Sequence, residues 1–326
     1  MLLHTTFDAR RWLLIAAAVL LGLCAGCTRA DYKQPLTARG DNTSSQPVML
    51  AAYQPWFGGK GHINVGYSSQ DRTVLERQVS QAKQRGIAGF VVNWYGKDHV
   101  FEDNSYALLQ RVADGDAEGF KVALMYDEND SDPASATETV LSDLNYAYQR
   151  YVSPTSEVPS RSYLRYNGQP VIFIFPKNGN TDWNRVRQVV NTWGERPLLI
   201  YKDPSEKWAG AFDGFYAWVQ PGKTGWQRDG SNWGQSYLEY FYGTMTHEFP
   251  QKLAVGGAWP GFNDSRASWS RNRRMDARCG RTLEESLQMF RRYYDANRPL
   301  PFLMIETWND YEEGTNVEGS SHGCKG

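Results

Sequence analysis

The sequence predicts a single (β/α)8 barrel. Three observations indicate this fold: eight apolar runs of strand length, helical patterns between them, and polar or aromatic residues where each run ends. Continuous apolar strands that alternate with helices are typical of a parallel sheet covered by helices. Eight units in one domain favour a barrel over a doubly wound sheet, and no Gly-x-Gly-x-x-Gly fingerprint follows the first strand.

The predicted strands share an apolar middle and a polar or aromatic end. In chain order they are VMLAAYQPW, IAGFVVNWY, KVALMYDE, PVIFIFPK, PLLIYKD, DGFYAWVQ, LAVGGAWP and PFLMIETW. Helical patterns between them include DRTVLERQVSQAKQRG, ETVLSDLNYAYQRYV, DWNRVRQVVNTWG, QSYLEYFYGTMTHEF and LEESLQMFRRYYDANR. Only NVEGSSHGCKG follows the eighth strand and its loop, so we expect an incomplete last helix.

The N-terminus has the pattern of a bacterial export signal. Arg10 and Arg11 precede an apolar segment that is short for a membrane span, and the LCAGC that follows resembles a lipobox. We therefore predict a lipoprotein signal peptide over residues 1–26, a flexible tether over 27–47 and the barrel over 48–326. Acylation of Cys27 would anchor the protein, and Thr28 after it favours the outer membrane, facing the periplasm. Plain secretion is the alternative.

Export also bears on the remaining cysteines. Once the signal is cleaved, Cys279 and Cys324 are left as a pair in an oxidising compartment. We expect a structural disulfide between them, with two unpaired thiols as the alternative.

The composition excludes several classes of function. A formal net charge of −1 gives no electrostatic reason to expect a nucleic acid partner. The five histidines are scattered without a metal-ligand spacing, and no G-x-S-x-G elbow is present. We expect a monomer that needs no metal or other cofactor and binds a neutral ligand.

Residues at the strand ends have the chemistry of a sugar site. Barrel enzymes act at the C-terminal ends of their strands, and sugars need hydrogen-bonding groups for their hydroxyls and aromatic planes for their C–H faces. The alternative is that the aromatic residues belong to the core and that Lys177 is a solvated rim residue. The candidate binding residues are Tyr53, Trp56, His62, Asn64, Asn93, Trp94, Tyr95, Asp127, Lys177, Trp218, Trp259, Trp308 and Asn309.

The segment ETWNDYEEGT, which ends the eighth strand, carries the candidate catalytic acids. Asp310 and Glu313 are three residues apart, so a helix-like turn would place them on the same side. Glycoside hydrolysis commonly uses one protonated carboxyl and one ionised carboxylate, and crowding among nearby acids raises at least one pKa. A solvated acidic loop and a calcium-binding loop are the alternatives.

The segment TWNDYEEGTNVE resembles the terminal motif of glycoside hydrolases of families 71 and 99. AAYQPWF, GHINVGY, GIAGFVVNWYG and GFNDSRASW extend the resemblance from Val48 to Glu318. It implies a (β/α)8 barrel, no metal cofactor and endo-acting cleavage of an α-linked polysaccharide. It also implies that Asp310 is the first catalytic carboxylate and Glu313 the general acid.

The two families imply different outcomes. In family 99 the first acid draws a proton from the sugar's own 2-hydroxyl, with net retention, whereas family 71 acts on α-1,3-glucan with inversion. Asp310 is like family 71, and Glu-Gly-Thr after it is like family 99. Tyr53, Trp94 and Asp127 look aligned with sugar-contacting positions of family 99, but YDEND departs from its Glu-Pro-Tyr.

The sequence therefore leaves alternatives for both the substrate and the class of function. α-Glucan and α-mannan are both compatible with the motifs, and the order Asn309, Asp310, Tyr311 favours a glucan. The alternative function is a non-catalytic glycan-binding or polysaccharide-assembly lipoprotein on a barrel scaffold.

Overall fold

The computed structural model describes residues 46–128, 132–156, 159–177, 179–220 and 233–319. The predicted signal peptide, the tether up to residue 45 with Cys27, and Cys324 lie outside the described residues. Acylation and the disulfide therefore stay predictions. Within the described ranges, no helix is both long and apolar enough to cross a membrane.

Eight parallel strands form a closed barrel, which confirms the predicted fold class. Each strand pairs with the next one, and β8 pairs with β1 to close the ring. The strands are β1 (Val48–Tyr53), β2 (Gly89–Trp94), β3 (Lys121–Asp127), β4 (Gln169–Phe175), β5 (Leu198–Lys202), β6 (Gly214–Tyr216), β7 (Leu253–Ala258) and β8 (Phe302–Ile305).

Helices cover the outside of the barrel. They are α1 (Arg72–Gln84), α2 (Val100–Gly115), α3 (Ala136–Ala147), α4 (Trp183–Val190), α5 (Gln235–His247) and α6 (Arg281–Met289). A π-helical turn (Tyr148–Val152) extends α3, and a 3-10 turn (Phe290–Arg292) extends α6. The described residues after β8, as far as 319, contain no helix, which agrees with the expected incomplete last unit. Those between β5 and β6 contain none either.

Short strands and 3-10 turns lie outside the barrel strands and the covering helices. Arg165–Tyr166 pairs antiparallel with β4, and Phe262–Asn263 forms a two-stranded ribbon with Arg274–Met275. Two further 3-10 turns occupy Asp264–Arg266 and Arg278–Gly280. The ribbon and its turn hold the segment after β7 over the C-terminal end of the barrel.

Helix α2 is not among the helical patterns predicted from the sequence. Its N-cap residue, His99, makes no side-chain capping hydrogen bond, and it buries Asp103, Ser105 and Gln110 among its apolar residues. By contrast, Asp71 caps α1 by accepting hydrogen bonds from two backbone N–H groups. A helix without a cap signal and with polar residues on its buried face shows a weak apolar period.

Hydrogen bonds join the loop after β8 to the end of β1. The Trp308 backbone N–H donates to the Ala52 carbonyl at 2.6 Å. The Asn309 side chain accepts from the Gln54 backbone N–H at 2.7 Å and donates to the Gln54 carbonyl at 2.9 Å. These bonds hold the acidic segment at the C-terminal mouth of the barrel.

Candidate active site

A cavity of about 540 Å³ opens at the C-terminal ends of the strands. This volume is within the range of sites that bind small ligands. The lining comprises Gln54, Trp56, His62, Asn93, Tyr95, His99, Glu102, Asp127, Phe175, Lys177, Lys202, Trp218, Val219, Phe262, Trp269, Arg271, Arg273, Asp310 and Glu313. Both predicted catalytic acids therefore face the same cavity.

Asp310 lies on the cavity floor and is held by the turn that follows it. Its Oδ1 accepts from the backbone N–H groups of Glu312 at 3.0 Å and Glu313 at 2.8 Å. Its own N–H donates to Thr307 Oγ1 at 2.7 Å. Burial, and secondarily the negative charge of Glu313, raise the pKa of Asp310 well above its usual range.

Glu313 lies on the same turn and reaches a more open part of the cavity. Its Oε1 accepts a hydrogen bond from Trp269 Nε1 at 3.0 Å and lies 3.7 Å from Arg273 Nη2. Burial raises the pKa of Glu313, while the Trp269 hydrogen bond and the Arg273 charge oppose that rise. Two neighbouring carboxyls with raised pKa values can hold one shared proton near neutral pH.

Two other acids of the segment are engaged by neighbouring side chains. Glu312 accepts from the Ile63 backbone N–H at 3.1 Å, and its other oxygen lies 2.8 Å from His62 Nδ1. Glu318 accepts from Tyr67 Oη and from Gln78 Nε2, each at 2.8 Å. These contacts position the loop after β1 and leave both carboxylates outside the cavity lining.

Glu306 is the most deeply buried acid of the segment. Its Oε2 accepts a hydrogen bond from the Val219 backbone N–H. Gly257 on β7 makes room for it, because a Cβ at that glycine would lie 2.8 Å from Glu306 Oε1. Burial raises the pKa of Glu306 well above its usual range and so favours the neutral carboxyl.

Aromatic rings form one wall of the cavity. The Trp56 and His62 rings stack with centroids 4.5 Å apart and planes within 3°. Trp269 meets Trp56 edge-on at 5.9 Å, and Tyr95 lies 6.0 Å from Trp56 on another side. Trp269 remains 40% exposed and presents its ring to the opening. Such a wall can pack against the C–H faces of a sugar ring.

Part of the predicted binding set lines the cavity with the two acids. Within it, Lys177 Nζ pairs with Asp127 Oδ1 at 2.8 Å. The described residues contain no cluster of three acidic, histidine or cysteine side chains that could hold a metal ion. The predicted binding residues in the lining are Trp56, His62, Asn93, Tyr95, Asp127, Lys177 and Trp218.

The structure corrects the interpretation of the other predicted binding residues, because none of them lines the cavity. Asn64 is exposed on its loop, where Oδ1 accepts from the Gly66 backbone N–H at 2.8 Å. The other side chains are buried, so direct stacking or hydrogen bonding to a sugar does not fit their positions. They are Tyr53, Trp94, Trp259, Trp308 and Asn309.

Strand alternation explains two of these errors. Successive side chains of a strand point to opposite faces, so Asn93 faces the cavity and Trp94 points outward. There, Trp94 Nε1 donates to Asp103 Oδ1 of α2 at 3.0 Å. In the same way Gln54 lines the cavity while Tyr53 Oη donates to Gln78 at 2.9 Å.

The remaining buried residues have structural roles. Trp259 Nε1 donates to the Trp233 carbonyl at 2.8 Å. The Arg85 guanidinium lies over the Trp308 ring, 5.4 Å from its centroid. The Asn309 amide carries the two bonds to Gln54 described above. All three side chains stabilise the C-terminal end of the barrel, where the cavity lies.

Several lining residues were not in the predicted set. Gln54 and Lys202 could have been predicted by the strand-end argument used for the other residues, because both lie at strand ends. Trp269 and Arg273 lie between the two strands of the ribbon after β7, and no local period indicates where that segment folds back. The complete group is Gln54, His99, Glu102, Phe175, Lys202, Val219, Phe262, Trp269, Arg271 and Arg273.

Apart from Asp127, whose Oδ1 is paired with Lys177, three lining residues have buried polar atoms without a hydrogen-bond partner in the described chain. These atoms are Gln54 Oε1, Trp56 Nε1 and Asn93 Oδ1. Each unsatisfied buried group costs about 1–3 kcal/mol.

Comparison with solved structures shows similar folds. Two structures of the GH99 endo-α-mannosidase from Bacteroides thetaiotaomicron, one in complex with BIS-TRIS-Propane, each have a TM-score of 0.59. The complex is 19% identical and covers 83% of this chain and 86% of its own. The other structure is 18% identical, with 83% and 87% covered. A glycoside hydrolase-like protein has a TM-score of 0.59 and 15% identity, with 87% and 89% covered.

At these identities the likeness establishes a shared barrel fold. No protein-family model matches the chain, and no curated protein matches it either.

Proposed function

We propose that this protein is an endo-acting glycoside hydrolase that cleaves an α-linked polysaccharide. The observation that carries the proposal is the turn after β8, which presents Asp310 and Glu313 to one cavity, where burial raises the pKa of both. The aromatic wall beside them suits a sugar. The barrel shared with an endo-α-mannosidase supports the same reading and a place in the GH99-like group.

We assign the proton donor to Glu313 and the base to Asp310 on their positions in the cavity, although burial raises the pKa of Asp310 more strongly than that of Glu313. Glu313 reaches the open part of the cavity beside the aromatic wall, where a departing sugar oxygen has a route out. Two backbone N–H donors hold Oδ1 of Asp310, and Oδ2, which lies 3.4 Å from the Gln54 Nε2 donor, is the oxygen that we assign to the reaction. General acid–base catalysis of this kind contributes about 10²–10⁴ in rate.

The N-terminal sequence supports a location for this activity. We propose that the protein is exported and acylated at Cys27, and that the tether links its barrel to the outer membrane. A polysaccharide in the periplasm would then be within its reach.

Soluble oligosaccharides of α-1,3-glucan and of α-mannan test the proposed function. We expect the wild-type protein to release reducing ends from at least one of them, with a rapid fall in chain length as in internal cleavage. NMR of the first product separates retention from inversion. A β-1,3-glucan of the same length is the control and should remain intact. Binding without reducing ends from either α-linked series would favour a non-catalytic glycan-binding protein.

The Trp269→Phe variant tests the environment of Glu313. Trp269 Nε1 donates to the Glu313 carboxylate and so favours its ionised form. Loss of this donor should raise the pKa of Glu313 further, so the acid keeps its proton to higher pH. We expect the alkaline limb of the kcat/KM profile to move up by about one pH unit. Trp208→Phe, outside the cavity, should leave the profile unchanged, and a downward shift in Trp269→Phe would contradict this role.

A further inference from the structure

Lys202 is a cation of the cavity wall without a partner of its own among the described residues. It ends β5, and no carboxylate of the described chain lies within 4.0 Å of its ammonium group. Its Nζ lies 4.2 Å from the centroid of the Phe175 ring. Lys177, 5.5 Å from the same ring centroid, differs because its charge is matched by Asp127 at 2.8 Å.

The acids that attract Lys202, Asp203, Glu306 and Asp127, make their hydrogen bonds to other groups and not to its ammonium. Asp203 accepts a hydrogen bond from Tyr237 Oη at 2.5 Å, and Asp127 is paired with Lys177. Glu306 accepts from the Val219 backbone N–H, and burial raises its pKa well above the usual range. Burial lowers the pKa of Lys202 in spite of the attraction from these acids. The ammonium therefore receives no hydrogen-bond acceptor from any of these acids.

Removal of a charge from water is costly unless a counter-charge or hydrogen bonds replace the water. The face of Phe175 offsets about 0.5–2 kcal/mol of that cost through a cation–π contact. An ammonium has three N–H donors, and a ring face satisfies them poorly. An anionic group of a ligand would supply the hydrogen-bond acceptor that this ammonium lacks.

The position of Lys202 relates this site to the catalytic pair. Lys202 lines the same cavity as Asp310 and Glu313, and its charge contributes to lowering the pKa of Glu313. An anion bound at Lys202 therefore lies in the same cleft as the sugar that is cleaved. Phe175, with Trp218 edge-on at 5.3 Å, adds apolar surface beside the ammonium for a sugar ring.

We infer that Lys202 binds the carboxylate of an acidic sugar, so the substrate is an α-linked polysaccharide that contains uronic acid residues. This inference rests on the proposed function. A single ammonium beside aromatic surface suits a singly charged group attached directly to a sugar ring. Phosphate and sulfate esters are more often held by the fork of an arginine. Of the two arginines in the lining, Arg273 is already bonded to Asp264 at 2.8 Å and Arg271 is exposed.

Binding measurements with matched oligosaccharides test this inference. The probes are oligosaccharides of α-1,3-glucan and α-mannan, each compared with the same oligosaccharide after C6 oxidation of its hydroxymethyl groups to carboxylates. The full chain carries Glu313→Gln so that cleavage does not interfere. We expect the oxidised member of at least one pair to bind about 10-fold or more tightly, as for a charge-assisted hydrogen bond, and less so at high salt.

Two lysine variants separate Lys202 from the general charge of the protein. Lys202→Met should remove the preference for the oxidised probe, whereas Lys207→Met, an exposed lysine near the same strand, should keep it. Because Lys202 is poorly compensated, we expect Lys202→Met to melt at the same temperature as its parent or higher. Lys202→Gln provides a second variant with a polar side chain.

Each outcome decides one question. Equal binding of oxidised and neutral probes in both pairs overturns the inference, and so does a preference that survives in Lys202→Met and Lys202→Gln. If the preference depends on Lys202 but the wild-type protein cleaves no probe, the acidic-sugar site stands and the hydrolase proposal fails. If the protein cleaves neutral oligosaccharides without any preference, the hydrolase proposal stands and the acidic-sugar site fails.

Discussion

Replacement of Glu313 by Gln is expected to lower kcat on a natural α-linked oligosaccharide by about 100- to 10,000-fold. The substitution removes the transferable proton and keeps the shape and the acceptor oxygen that faces Trp269 Nε1. Oligosaccharide affinity should therefore change little. Initial rates of reducing-end release, together with calorimetric titration, measure the two effects separately.

A substrate with a good leaving group sharpens this prediction. Fluoride departs from a glycosyl fluoride without needing a proton, so Glu313→Gln should retain much of its activity on an α-glycosyl fluoride of the same sugar. Glu284→Gln, at an exposed position of α6, is the matched control and should behave as wild type on both substrates. A loss of only a few-fold on the natural oligosaccharide would remove Glu313 from the role of acid.

The Asp310→Asn variant should lose activity to a similar extent, by about 100-fold or more, on the oligosaccharide and on the fluoride alike. A base is needed whatever the leaving group, so a better leaving group does not compensate for its loss. The different responses to fluoride distinguish the two carboxyls. Parallel rate measurements on the two substrates with both variants provide the test.

Asp310 also supports the turn, so a stability measurement accompanies its kinetics. Asn keeps an oxygen that can accept from the N–H groups of Glu312 and Glu313, whereas Ala at position 310 does not. We expect Asp310→Asn to melt close to the wild-type temperature and Asp310→Ala to lose about 0.5–2 kcal/mol of stability. An Asp310→Asn variant that is folded and fully active would show that Asp310 only supports the turn.

Parts of the site were predictable because they follow local patterns. Asn93 and Lys177 come at or just after the end of an apolar run, and a barrel gathers such positions at one mouth. The spacing of Asp310 and Glu313 on one turn is also local. The sequence misplaced side chains such as Trp94, which points away from the cavity although its neighbour Asn93 faces it. A strand that is apolar throughout does not show which of its two faces is turned inward.

The sequence by itself determined the barrel, the order of its strands and the turn that carries Asp310 and Glu313, because the periods and residue spacings that encode them are short-range. Only the tertiary structure decided which acids face the cavity. Closure of β8 on β1 brings Glu312 to His62 and Glu318 to Tyr67, partners about 250 positions away in the chain, and it leaves Glu306 buried. It also brings the ribbon after β7 over the cavity, where Trp269 meets Glu313. Contacts between segments so far apart depend on how the whole barrel packs, and no local pattern encodes them.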